Sequence, residues 1–185
     1  MDIKPKQWIN ELDKLSGDIR DSFGNLDKEI LFLKPDSKSW SIAEILEHLI
    51  TVNSSYFPIF KQLIDNTFVS AFIGKFSFFT KLFGNMIYQS VSDGGKKKIR
   101  TFPLWEPKIK EGEADIIENF LAHQEDLKNW IKELGPYIEK EAIIHSPANK
   151  LIVYSLPQAL DIIIAHEKRH LEQAKNVLEK IKPST

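Results

Sequence analysis

The 185-residue sequence contains no cysteine and has no long uninterrupted apolar run. Without cysteine the chain cannot form disulfides, thiolate metal sites or a cysteine nucleophile, so any thiol chemistry requires a thiol supplied by a ligand. The most apolar stretch, residues 68–88, is interrupted by Lys75 and Lys81 and falls short of the roughly 18 apolar residues that a membrane-spanning helix needs. We therefore expect no membrane span.

The chain also lacks an excess of charge of either sign. Its 25 basic and 26 acidic side chains leave a formal net charge of −1, so no whole-molecule field favours binding to nucleic acid. The N-terminal residues lack the apolar core of a secretory signal, which predicts a cytoplasmic location. An apolar content of 42% over this length fits one domain spanning residues 1–185.

Four long segments carry apolar residues at intervals of three and four, and no segment shows sustained period-two alternation. The sequence therefore predicts an all-α fold, and four amphipathic helices favour a four-helix bundle. The predicted boundaries are set by prolines, glycines and two capping boxes, one formed by Ser41 with Glu44 and one by Ser155 with Gln158. The first helix ends near Gly24, the second runs from Ser41 to about Phe57, the third from about Glu113 to Leu134, and the fourth from Ser155 to about Ile181.

Two regions between the second and third helices lie outside this plan. Residues 68–83 hold six of the twelve phenylalanines, and we expect an extra helix or lid packed on the bundle, with an exposed pocket wall or dimer surface as the alternative. Residues 92–112 have the glycines and prolines of a long loop. The basic side chains of this loop are expected to be solvated, with attraction of an anionic substrate as the alternative; they are Lys96, Lys97, Lys98 and Arg100.

The histidines are the side chains that could form a reactive constellation. His166 and His170 lie four residues apart on the fourth helix, within the stripe that faces the bundle interior, and this spacing would let them share a metal ion. His48 borders the buried face of the second helix and could meet the pair. Hydrogen-bonded core histidines explain the same pattern, so the spacing leaves both interpretations open. For His123 and His145 we expect boundary positions without a metal role.

Two motifs resemble the DinB superfamily, in particular its YfiT-like branch. They are W-S-x-x-E-x-x-x-H-L at residues 40–49 and H-E-x-x-H-x-x-Q at residues 166–173, in the order that the family shows. The resemblance implies a four-helix bundle in which His48, His166 and His170 bind a divalent metal ion. Imidazole suits zinc, nickel, iron and copper alike, so the residues leave the ion open; we expect zinc or nickel first, with iron or manganese as alternatives.

The resemblance also implies an activity. Members of the family include hydrolases and S-transferases that use bacillithiol or a similar low-molecular-weight thiol, acting on small-molecule substrates, and many members pair as homodimers. Three neutral imidazoles would leave the full charge on the ion, which would activate water or a thiol. Glu167 and Gln173 could orient the ligands from outside, and Glu44 could do the same, although the capping box at Ser41 is the role expected first for Glu44. Arg169 could bind a substrate carboxylate, with a surface ion pair as the alternative expected first.

Two other functions compete with this one. A di-iron bundle requires Glu-x-x-His on each of two helices, and only Glu167 and His170 have that spacing, so the sequence argues against it. A non-catalytic bundle that binds a partner through its aromatic segment, with a structural metal or none, is the stronger rival.

Overall fold

The computed structural model of the protein describes residues 3–69, 72–92, 101–110 and 115–181. Its elements are α1 (Ile3–Phe23), α2 (Lys28–Phe32), α3 (Ile42–Ser54), α4 (Phe57–Ile64), a 3-10 turn (Phe72–Lys75), α5 (Ser77–Val91), a second 3-10 turn (Pro103–Trp105), α6 (Ile116–Glu133), α7 (Gly135–Glu139), β1 (Ile143–His145), β2 (Val153–Ser155) and α8 (Leu156–Ile181).

The long helices α1, α3, α6 and α8 form a four-helix bundle. Helices α1 and α3 each pack against both α6 and α8, so α1 and α3 occupy one diagonal of the bundle and α6 and α8 the other. This arrangement confirms the predicted all-α fold. Among the described residues, no helix combines the length and the apolarity required to cross a bilayer.

The strands β1 and β2 were not predicted from the sequence. They pair antiparallel, with Ile144 opposite Tyr154, and form a hairpin directly before α8. Each strand has three residues, which is too short for a period-two pattern to stand out from the flanking sequence. His145, which the sequence placed at a boundary position, is the last residue of β1.

The helix boundaries differ from the prediction in ways that hydrogen bonding explains. Helix α3 already ends at Ser54, and a separate helix, α4, begins at Phe57, with Pro58 in its first turn where a missing N–H costs little. At the start of α8 only half of the expected capping box forms. The Gln158 N–H donates to Ser155 Oγ (3.3 Å), but the Gln158 side-chain amide donates to Asn85 instead.

The start of the third predicted helix and the aromatic segment also differ from expectation. Helix α6 begins at Ile116, capped by Asp115, and residues 113 and 114 lie outside the described residues. The helix expected at residues 68–83 is a 3-10 turn followed by α5, which packs against α8 and β2. The four basic residues of the predicted loop also lie outside the described residues.

The core consists of two apolar clusters with polar side chains between them. One cluster includes Leu12, Phe60 and Leu127, and the other includes Phe23 and Phe120. On α3, α6 and α8 the boundary between the clusters is marked by three buried polar residues, which are Asn53, Gln124 and Glu167. Burying a polar side chain without a partner destabilises the folded state, so buried polar residues need a structural or functional reason. We therefore look for a functional site at the boundary between the two clusters.

Candidate metal centre

Local capping positions His48 on α3. The Ser41 N–H donates to Glu44 Oε2 (2.9 Å), and the Glu44 N–H donates to Ser41 Oγ (3.2 Å), so the predicted capping box is present. The second carboxylate oxygen of Glu44 pairs with Lys34 (2.7 Å). The described hydrogen bonds of Glu44 therefore fix the start of α3, and His48 follows four residues later, within contact of α8.

The structure brings His48, His166 and His170 together. One potential ligand nitrogen from each ring lies within 4.8 Å of the others. The centroid of the His170 ring is 4.4 Å from that of His166 and 4.8 Å from that of His48. His48 and His170 are buried residues, and His166 is partly exposed as a whole residue although its ring nitrogen Nδ1 is buried. These rings from α3 and α8 form the histidine triad.

The ring of His48 is held in one orientation by a backbone carbonyl. His48 Nδ1 lies 2.7 Å from the carbonyl oxygen of Trp105, so this nitrogen carries the proton and donates it to the carbonyl. His48 Nε2 is then unprotonated and points to His166 Nε2 at 3.4 Å. Trp105 is fixed in turn, because its indole N–H donates to Ser55 Oγ (3.2 Å). A carbonyl that selects the tautomer in this way is typical of metal-ligating histidines.

Trp105 is a site residue that sequence reasoning missed. It lies 57 positions from His48 in a segment predicted to be loop, and its contribution is a main-chain carbonyl. A carbonyl has no residue-type signature, so the sequence carries no signal for it. Trp40, which begins the first motif, also contributes, because its ring lies 4.9 Å from the ring of His48.

Burial keeps the triad neutral. Loss of hydration lowers the pKa of His48 and holds the pKa of His166 well below its usual range. Burial also lowers the pKa of His170 to about 3, helped by His48 and by the positive charge of Arg169 and opposed by the Gln173 side chain. All three rings are therefore unprotonated near neutral pH, which is the form that binds a metal ion.

The geometry fits a metal ion better than it fits a self-contained hydrogen-bond network. Two nitrogens bound tetrahedrally to one zinc ion are about 3.3 Å apart, close to the 3.4 Å between the Nε2 atoms of His48 and His166. The Nδ1 atoms of His166 and His170 are buried and have no hydrogen-bond partner among the described protein atoms. An ion bound to Nε2 of His166 would leave Nδ1 of that ring for a water, so it is the spacing of the two Nε2 atoms that suits the donor set to a divalent ion.

Glu167 is turned away from the triad. It accepts a hydrogen bond from Asn53 (2.6 Å) and another from Gln124 (2.7 Å), and only 1% of its surface is exposed. The H-E-x-x-H pattern also occurs in zinc metalloproteases, where the glutamate acts as general base. Here the Glu167 carboxylate is bound by Asn53 of α3 and Gln124 of α6, so it links these two helices to α8. Burial raises the pKa of Glu167 to about 7.

The remaining candidate residues take different places. Arg169 donates from Nη1 to the Ser90 carbonyl (2.7 Å), which ties α8 to the end of α5 beside the triad. His123 is buried, with 6% of its surface exposed, and stacks on Phe57, so it is a core residue and not the boundary residue expected. His145 stacks on Phe68 in the hairpin region. Neither of these two histidines belongs to the group of potential ligand atoms formed by the triad.

Comparison with known proteins identifies a family. The family model described as DinB superfamily matches residues 11–174, which include all three histidines of the triad and most of the chain. No curated protein and no solved structure matches the chain.

Proposed function

Because the chain belongs to the DinB superfamily, we propose that it is a metal-dependent enzyme whose ion is held by His48, His166 and His170. The observation that carries the proposal is the convergence of three neutral imidazoles from two helices within 4.8 Å. Borderline imidazole ligands suit zinc or nickel, which we take as the first ions to test, ahead of iron and manganese.

The proposed reaction is hydrolysis or transfer of a low-molecular-weight thiol such as bacillithiol. A divalent ion bound by three neutral ligands lowers the pKa of a bound water or thiol and so supplies a nucleophile near neutral pH. The chain has no cysteine, so no thiolate of its own would compete for the ion.

The chain's own residues hold and surround this centre. The Trp105 carbonyl keeps the proton of His48 on Nδ1, so that Nε2 remains free for the ion. The Gln173 side chain interacts with His170, and we propose that it orients this ring. The charge of Arg169, next to His170 in the sequence, would attract a substrate carboxylate or phosphate to the same place.

Metal content tests the proposal. We expect purified protein reconstituted with zinc or nickel to retain about one ion per chain after dialysis, and His48→Ala and His170→Ala to lose it. His145→Ala is the matched control, because it removes a histidine outside the triad and should retain the ion. A wild-type chain that retains no ion, or a His170→Ala variant that retains a full equivalent, would contradict the proposal.

Activity assays separate the two reaction types. The zinc- and nickel-loaded proteins are assayed for transfer of bacillithiol to monochlorobimane and for hydrolysis of p-nitrophenyl acetate. A rate above background that His170→Ala abolishes and His145→Ala retains supports an enzyme. Stoichiometric metal without either activity would favour the non-catalytic bundle.

A further inference from the structure

Helix α5 has an apolar face that points away from the bundle. Phe78, Leu82 and Met86 recur every four residues and thus lie along one side of the helix. Their side chains are 68%, 48% and 53% exposed. We call these three residues the α5 face. The opposite side, which includes Thr80 and Gly84, is buried against α8 and β2.

Close packing fixes the orientation of this face. A Cβ atom at Gly84 would overlap the side-chain amide of Gln158, so α5 approaches α8 too closely there for a larger residue unless Gln158 moves. The amide of Gln158 also donates to Asn85 Oδ1 (2.9 Å). At the other end of α5, Arg169 donates to the Ser90 carbonyl. Helix α5 is therefore held by its buried side, and the α5 face cannot rotate inward without breaking these contacts.

Aromatic residues before the helix extend the exposed apolar surface. Phe76 is 49% exposed and Phe72 is 72% exposed, and their rings are 5.7 Å apart. The ring of Phe79 connects Phe76 with Phe78 at centroid distances of 6.3 Å and 5.5 Å. Contiguous exposed apolar surface of this kind marks an interaction site in most proteins.

The stretch of sequence that carries the α5 face is positively charged. The sequence from Phe68 to Ser92 has two lysines and no acidic residue, and Lys81 is exposed next to Leu82. By sequence, the next eight residues add four basic side chains and one acidic side chain. An exposed helix with phenylalanine and leucine on one side and flanking lysines is typical of helices that lie in the interface of an anionic membrane.

A second copy of the chain fits this surface less well. A symmetric dimer through the α5 face would place two sets of positive charge against each other, which opposes association. With Phe72 and Phe76 included, the exposed side chains offer on the order of 600 Å² of apolar surface, below the roughly 800 Å² per partner of a stable interface. Anionic head groups would neutralise the lysines, and a shallow apolar layer would accept the three side chains.

We propose that the α5 face docks on the surface of an anionic phospholipid bilayer, with Phe78, Leu82 and Met86 inserted among the head groups and Lys81 near the phosphates. The contact is peripheral and reversible, because one helix face with a few lysines gives a weak anchor. Its strength should therefore fall as salt concentration rises.

Vesicle co-sedimentation of the full chain tests the proposal. We expect binding to vesicles of equal parts phosphatidylglycerol and phosphatidylcholine, and binding about tenfold weaker or less to pure phosphatidylcholine. Phe78→Ser/Met86→Ser should weaken binding by about tenfold or more, and Lys81→Ala by about fivefold. Leu33→Ser/Leu151→Ser is the matched control, because it removes two exposed apolar side chains elsewhere, and should bind like the wild type. Circular dichroism verifies that each variant is folded.

Three results would overturn the proposal. The first is a folded wild-type chain that does not sediment with phosphatidylglycerol vesicles, or that binds pure phosphatidylcholine equally well. The second is equal weakening by the Leu33 and Leu151 control. The third is a wild-type dimer in size-exclusion chromatography that Phe78→Ser/Met86→Ser converts to a monomer, which would make a second copy the occupant of the α5 face.

Discussion

The buried carboxylate of Glu167 should make stability depend on pH in an unusual direction. Its pKa is about 7 in the folded protein, raised by burial, against an ordinary value of 4.5. The folded state therefore holds the Glu167 proton over a range of pH in which the unfolded state has released it. This carboxylate lowers the free energy of unfolding as pH rises from 4.5 through 7.

The size of the effect follows from the two pKa values. The difference between the folded value of about 7 and the ordinary value of 4.5 corresponds to about 3 kcal/mol once both states are ionised. Glu167→Gln removes the titration while retaining the shape of the side chain and a hydrogen-bonding group toward Asn53 and Gln124. The free energy of unfolding of Glu167→Gln minus that of the wild type should therefore increase by about 3 kcal/mol between about pH 4 and pH 8.5.

Urea denaturation in the presence of a chelator measures this difference at each pH. The control is Glu172→Gln, an exposed residue of the same helix, whose difference from the wild type should stay nearly constant with pH. If the difference in free energy of unfolding between Glu167→Gln and the wild type also stays constant with pH, the conclusion that burial raises the pKa of Glu167 is wrong.

Three further predictions concern the fold. Burial lowers the pKa of His123 to about 4. The free energy of unfolding of the wild type should therefore fall by about 3 kcal/mol relative to that of His123→Phe as pH drops from about 6.5 to below 4. Urea denaturation at each pH measures this difference, and a difference that does not change with pH would contradict the prediction. Ser41→Ala removes the side-chain cap of α3 and should lower the free energy of unfolding by about 1 kcal/mol in the same assay. Ser77→Ala is the control and should be nearly neutral, because Ser77 makes no described cap of α5. Phe120→Ala should cost about 3 to 5 kcal/mol because its ring is fully buried, and a loss below about 1 kcal/mol would show that it is not.

Local sequence patterns predicted the parts of the site that depend on a single helix. The capping box at Ser41 sets the start of α3, and helical periodicity turns His166 and His170 to one inward face of α8. Both patterns involve residues within two turns of each other, so they can be seen without knowledge of the fold.

The parts that depend on distant contacts could not be predicted. The Trp105 carbonyl reaches His48 from 57 residues away. The sequence made Glu167 a candidate to orient the ligands, but the structure pairs it with Asn53 and Gln124, which are 114 and 43 residues distant. The pairing of side chains from three helices is set by how the helices pack and is not encoded in local spacing.

A crystal structure of the zinc- or nickel-loaded protein, with anomalous diffraction collected at the metal edge, tests the metal centre most directly. We predict one anomalous peak about 2.0 to 2.2 Å from a ring nitrogen of each of His48, His166 and His170, with the Trp105 carbonyl still bound to His48 Nδ1. The absence of a peak among these rings, or an ion held by other residues, would contradict the assignment of the triad as a metal centre.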